Sequence, residues 1–286
     1  MRAVHWAMLA PAQALVVTFL FLPAVYVVWL SFHASTYGQQ PRFVGLTNYA
    51  QLLADPIFWR AALNSFVVVH VVVYGEIILG FALALLLARP LPGKPLVIAL
   101  LLAPYAITEA SAMAMWRTML EPDIGLINQA LMQLGLEQIE WSTERWTALA
   151  VAGTVAIWHH LPFTFLILYS ALTTVPRDLM EAAEIDGAGP VRRFLHVTLW
   201  LIMPAVLIAL LFRTIFALRL FSEVWLLTEG GPARLTEVLA IYLYRATFKY
   251  HDFGAAATTG SVMLLLSLLV AAPYLWRLYF RTLRHG

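Results

Sequence analysis

The chain has no cysteine among its 286 residues, which removes disulfides, thiolate metal ligands and thiol nucleophiles, though it identifies no compartment. Charge is scarce as well: 12% of residues are Asp, Glu, Lys or Arg, where soluble domains have roughly 25%. No Gly-x-x-x-x-Gly-Lys-Ser/Thr occurs, and the one Gly-Lys pair, Gly93-Lys94, runs into Pro95, so the chain has no phosphate loop of its own. No Ser-His-Asp spacing or paired-carboxylate arrangement points to an enzyme. Net charge of +2 makes no case for nucleic acid. Linkers, low-complexity runs and internal repeats are missing, so residues 1–286 read as one domain.

What is present is apolar. Hydrophobic residues make up 62% of the chain and mean hydropathy is +0.79. Six stretches approach or exceed the roughly 20 residues that cross a bilayer: about 9–32, 61–88, 96–116, 146–172, 199–227 and 255–278. Hydrocarbon does not tolerate unpaired backbone groups, so these are expected to be helices, giving an all-α membrane protein with six transmembrane helices. The first stretch is too long for a signal-peptide core and lacks a small-residue cleavage site, so it reads as a retained span.

Orientation follows from the basic residues. Arg2, Arg89, Lys94, Arg177, Arg192, Arg193 and the arginines after 276 fall at the N-terminus, in the second and fourth loops and at the C-terminus, all on one side of an even-span topology. Those segments, both termini included, are expected to be cytoplasmic. The opposite loops, about 33–60, 120–145 and 228–252, have a net acidic balance and are too short for separate domains. Trp59, Trp141 and Tyr250 there suit interfacial anchoring, and 126–136 suits a short interfacial helix.

Ionisable residues within spans cost on the order of 3 kcal/mol each and normally face a protein interior or a watery path. Glu76, Glu109, Arg213, Arg219 and Glu223 are such residues. Arg219 and Glu223 are four apart and can pair along one helix face, while Glu109 can meet an arginine of the fifth span. Structural ion pairs and a substrate path are both open readings. In the fourth span, Trp158, His159, His160 and Phe163 cluster around a break expected at Pro162. Such a set suits sugar hydroxyls and the apolar faces of sugar rings; interior packing is the alternative. No spacing here supplies the further ligands that a metal site needs.

Between the fourth and fifth spans lies a compact polar segment, Glu181-Ala182-Ala183-Glu184-Ile185-Asp186-Gly187-Ala188-Gly189. A short helix is expected over 176–186, with Thr174 as N-cap and Pro176 in the first turn. Gly187 suits a left-handed C-terminal cap, and Gly189-Pro190 marks a second start. Leu179, Ala182, Ala183 and Ile185 give the first helix an apolar side beside Glu181 and Glu184, a shape that fits a partner's groove.

This segment resembles the cytoplasmic Glu-Ala-Ala coupling loop of ATP-binding-cassette importer permeases, and its extended form resembles the carbohydrate-uptake branch of that family. Further matching stretches are Phe43-Val44-Gly45-Leu46-Thr47-Asn48-Tyr49, Leu227-Thr228-Glu229-Gly230-Gly231-Pro232 with Thr236, and Asp252-Phe253-Gly254-Ala255-Ala256. One position departs: where the family usually has proline after Leu199, this chain has Trp200, so the expected helix kink moves or softens while Pro204 remains.

The resemblance implies a type I importer permease fold in a bacterial or archaeal inner membrane, with residues 174–198 as the coupling loop and Glu181, Ala182, Ala183, Asp186 and Gly187 as its contacts to an ATPase. It further implies a second, similar permease, a pair of cytoplasmic ATPase subunits carrying ATP and Mg, an extracytoplasmic substrate-binding protein, and no cofactor on this chain. Transport would be by alternating access, with Glu109, Trp158, His159, His160, Phe163, Arg219 and Glu223 as candidates for the substrate path. A secondary transporter or channel for a small polar solute is the rival reading; it typically shows broken helices in matched halves.

Overall fold

The computed structural model describes residues 2–284, and it is almost entirely helical. In chain order the helices are α1 (Arg2–Val16), α2 (Leu22–Leu30), α3 (Thr47–Ala54), α4 (Pro56–Ala88), α5 (Lys94–Ala106), α6 (Glu109–Met119), α7 (Leu126–Gln133), α8 (Arg145–Thr173), α9 (Arg177–Ile185), α10 (Pro190–Arg193), α11 (Leu199–Leu218), α12 (Ser222–Thr228), α13 (Leu239–Tyr244) and α14 (Phe253–Arg284). A two-residue antiparallel ribbon pairs His33 with Phe43 and Ala34 with Arg42. Among the described residues, five segments are long and apolar enough to cross a membrane: Leu9–Leu30, Pro56–Ala88, Arg145–Thr173, Pro190–Leu218 and Phe253–Arg277.

Two of the expected spans are broken. Instead of one helix over 96–116, α5 and α6 meet at a 97° bend. Thr108 is extended there and its hydroxyl accepts from the Ser111 amide at 3.3 Å, starting α6 afresh as an N-cap. The fifth stretch stops at Leu218 and resumes at Ser222. Conversely, no break occurs at Pro162, because α8 runs on through it. The irregularity expected near Trp200 lies just upstream, as a π-helical turn over Phe194–Thr198 that leads into α11.

The chain separates into two compact units, one up to Ala61 together with Leu239–Leu266, the other Ala62–Val238 together with the chain from Ser267. In the first, two of the motif stretches are explained by packing. The Asn48 side-chain amide donates to the carbonyls of Ser31 and His33, both at 2.9 Å, and the Tyr49 hydroxyl meets Ser31 Oγ at 2.7 Å. Asp252 caps α14 by accepting from the Ala255 amide at 2.9 Å. Gly254 lies where a Cβ would come within 2.5 Å of the His33 carbonyl oxygen, so only glycine fits.

In the second unit, α4, α8 and α11 share a core of Ala84, Leu87, Phe165, Leu168, Ile202 and Val206. Close approach of α4 to α8 depends on Gly80, whose Cβ would come within 3.2 to 3.3 Å of Thr164 and Leu168 side-chain carbons. Small residues serve this purpose in spans, where packing rather than the hydrophobic effect brings helices together. Trp141, expected as an interfacial anchor, is instead buried and donates to the Leu120 carbonyl at 2.7 Å. A helix, α7, covers Leu126–Gln133 of the 126–136 stretch.

The candidate transport cavity and coupling hairpin

Breaking a span exposes backbone and polar side chains that hydrocarbon would not tolerate, so breaks belong where protein lines a cavity. Both breaks border one cavity of about 610 Å³ in the second unit. Tyr105, Ile107 and Glu109 reach it from the α5–α6 bend, and Arg219, Leu220, Phe221, Ser222 and Glu223 from the α11–α12 break. His159 and His160 of α8 and Arg213, Phe216 and Ala217 of α11 complete its wall.

Five residues taken from the sequence as path candidates, Glu109, His159, His160, Arg219 and Glu223, line this cavity. The other two do not. Trp158 turns to Trp116, edge-on at 5.4 Å, and Phe163 packs behind the wall between Tyr105 and Phe216 at 6.2 Å from each.

The charge pairing differs from expectation. Arg219 and Glu223 fall on opposite sides of the α11–α12 break, so they share no helix face. Glu223, buried, meets His160 Nε2 at 2.9 Å. Among the described residues Glu109 forms no ion pair with an arginine; one of its carboxylate oxygens lies with a ring nitrogen of His160 and a Glu223 oxygen, all within 4.8 Å of one another. The arginine that does pair is Arg213, whose guanidinium grips the buried Glu76 with Nε on one oxygen and Nη2 on the other at 2.6 Å. Thr164 adds a hydroxyl hydrogen bond to Glu76 at 3.1 Å. Planar two-point pairing of this kind fixes the relative placement of α4, α8 and α11.

The polar segment after α8 folds as a hairpin of α9 and α10. Thr174 does not cap α9: its hydroxyl bonds back to the Ala171 carbonyl at 2.8 Å, closing α8. Pro176 is the extended residue before α9 and offers no side-chain cap. The other end is as expected. Gly187 has φ +77°, its amide bonds to the Glu184 carbonyl, and the Ala188 amide bonds to the Ala183 carbonyl, both at 3.0 Å. This pair of bonds is a Schellman cap. Gly189 and Pro190 then start α10, and Arg193 reaches back to Glu184 at 2.5 Å. Thr198 closes the base with a contact to the Met180 sulfur at 3.4 Å. Glu181 and Ala182 stay exposed, as do Leu179, Ile185 and Val191.

A family model described as "Binding-protein-dependent transport system inner membrane component" matches residues 93–276, the stretch that holds both cavity and hairpin. The chain belongs to this family of inner-membrane permeases. The permease is 36% identical over 272 residues to the sulfoquinovosyl glycerol transport system permease protein SmoG of Agrobacterium fabrum, covering 94% of this chain and 88% of the relative. It is 33% identical to the trehalose/maltose transport system permease protein MalF of Thermococcus litoralis, over 93% of this chain and 89% of that one. Among solved structures, it matches a chain of a bacterial alginate ABC transporter in complex with an alginate pentasaccharide-bound periplasmic protein. There the TM-score is 0.83 at 20% identity, covering 95% and 92% of the two chains. The permease therefore has the fold of that type I importer.

Sequence order missed Tyr105, Ile107, Phe216, Phe221 and Ser222 as parts of the permease's cavity wall. Signals for the two breaks were present: Pro104 followed by Thr108-Glu109, and Ser222-Glu223 inside an otherwise apolar run. Each is a polar start written into a span.

Proposed function

We propose that the chain is one permease subunit of an ATP-driven, binding-protein-dependent importer of a carbohydrate or sugar derivative, working by alternating access. The observation that carries this reading is the α9–α10 hairpin. Its own fold is completed by cap, ion pair and Met180 contact, yet Leu179, Ile185 and Val191 are left uncovered beside Glu181 and Ala182. An amphipathic short helix that is finished internally and apolar externally suits a groove on another subunit. In this reading Glu181, Ala182, Ala183, Asp186 and Gly187 form the contact to the ATPase, which binds ATP and Mg because this chain has no phosphate loop.

The remaining parts follow from the same assembly. A second permease faces this one, two ATPase subunits sit on the cytoplasmic side with both termini and the hairpin, and an extracytoplasmic binding protein delivers substrate. Six spans cross the membrane, the third being the bent α5–α6 pair. Sugar-containing substrates in the names of the two relatives and of the structural neighbour support a carbohydrate. The cavity suits it: Glu109, His159, His160, Arg219 and Glu223 can hydrogen-bond hydroxyls while Tyr105, Phe216 and Phe221 offer rings.

Reconstitution with the ATPase, partner permease and binding protein tests the reading. Uptake is expected to require ATP hydrolysis and to ignore ionophores, and the chain alone is expected to hydrolyse no ATP. Uptake that follows an ion gradient and survives a dead ATPase would establish a secondary transporter instead.

A further inference from the structure

Glu109, His160 and Glu223 come from three separate helices, α6, α8 and α12, and the break before α6 and the break before α12 are what bring the two carboxylates to the imidazole. Their ligand atoms lie within 4.8 Å of one another. A tetrahedral ion held by bonds of about 2.0 to 2.2 Å needs its ligands roughly 3.4 Å apart. The His160–Glu223 contact, at 2.9 Å, is already near that separation, and Glu109 is exposed on the cavity wall beside it. Arg213, the nearby guanidinium of α11, is taken up by Glu76. Arg219 lines the cavity but forms no ion pair with either carboxylate among the described residues.

A second observation stands on the same wall. His159 is 3% exposed, its Nδ1 makes no hydrogen bond of good geometry among the described residues although the Pro104 backbone interacts with the ring, and that ring meets His160 edge-on at 4.8 Å. A buried polar atom left unmatched in a membrane-spanning helix is costly unless something in the cavity satisfies it.

We propose that Glu109, His160 and Glu223 form a three-ligand site for a divalent transition-metal cation of the Zn²⁺ type, with His159 beside its open position. One imidazole nitrogen and two carboxylate oxygens match such an ion, whereas Ca²⁺ and Mg²⁺ favour sites made of oxygen alone. Binding displaces any proton on His160 Nε2, since the ligand is the neutral imidazole with that nitrogen free. A bound ion joins α6 and α12, each of which follows a helix break, to α8. It thereby fixes the width of the cavity between them. The site takes Glu109, His160 and Glu223 from the hydroxyl contacts proposed above and leaves His159 and Arg219 for them; Zn²⁺ binding is measured without transport, so either reading can fail alone.

The experiment titrates Zn²⁺ into the purified, tag-free importer complex in lipid nanodiscs against a chromophoric zinc indicator, and follows thermal unfolding with and without the ion. Wild type is expected to bind one Zn²⁺ per copy of this chain and to unfold at a higher temperature with it, because an ion that binds only the folded form stabilises it. Glu109→Gln and His160→Ala are each expected to weaken binding by at least about 10-fold and to reduce that shift. Glu109 is exposed and accepts no side-chain hydrogen bond among the described residues, so Glu109→Gln gives a folded test even where His160→Ala does not. Stoichiometric binding that is unaltered in Glu109→Gln, or no binding in wild type above that of His160→Ala or Glu109→Gln, would overturn the site.

Discussion

Gly187 has φ +77° and nothing within 4 Å of where a Cβ would stand, so substitution there meets backbone strain and no clash. Left-handed backbone costs a residue with a Cβ roughly 1 to 2 kcal/mol, and a β-branched side chain is disfavoured further. Gly187→Val is therefore expected to leave the protein inserted but to loosen the α9 cap and stop uptake, while Gly187→Asn retains much of it. Equal uptake by Gly187→Val and wild type, with the ATPase still bound, would remove the hairpin from the coupling role. The Glu76–Arg213 pair makes a different demand. Removing one partner leaves a buried charge unmatched at about 3 to 5 kcal/mol, whereas replacing both with apolar residues is often near neutral. Arg213→Met alone is expected to lower the yield and thermal stability of the permease sharply, and Glu76→Met added to it to restore part of both. A double-mutant cycle checks this; purely additive losses would mean that the two side chains act independently.

At the scale of the element, the hairpin's two fastenings are unequal. Glu184 has a largely exposed side chain in its pair with Arg193, and exposed ion pairs contribute about 0 to 1 kcal/mol. The Schellman cap instead satisfies two helix-end carbonyls and sets the direction of the chain into α10. Glu184→Gln is accordingly expected to transport at close to the wild-type rate. Glu181→Lys, a charge reversal at an exposed α9 position with no partner of its own in the hairpin, is expected to weaken co-purification of the ATPase, and a compensating charge change in the ATPase cleft to recover it. If Glu184→Gln proves the more damaging of the two, the ion pair rather than the docking face governs coupling. The helix breaks belong to this scale too. Thr108 and the stop at Leu218 turn two apolar stretches of ordinary span length into four helices, and the turns supply most of the polar groups in the cavity wall.

For the whole molecule, the topology has a direct test in a chain that contains no cysteine. Cysteine at Gly189, where a side chain has open space, is expected to resist a membrane-impermeant thiol reagent in intact cells and to react after lysis. Cysteine at the exposed Glu137 is expected to react from outside. Labelling of residue 189 in intact cells would invert the proposed orientation. The rough position of the apolar helices, the Gly187 cap and the second start at Pro190 were legible in the sequence. Each depends on local chemistry: the apolar length that hydrocarbon demands, a glycine that tolerates left-handed backbone, a proline that lacks an amide hydrogen. Partner choice was not legible. Arg219 and Glu223 have the spacing of a helical pair, and only the break between them sends Glu223 to His160. Glu76 and Arg213, 137 residues apart, carry no sequence signal of each other. Trp158 and Phe163 share a segment with His159 and His160, yet helix rotation against α6 and α11 turns them out of the cavity. The sequence by itself determined which segments leave water and how the hairpin ends, because those choices are made within a few residues. Tertiary structure alone decided which charges meet, because in a medium that penalises unmatched charge each group pairs with whatever the helix packing brings within reach.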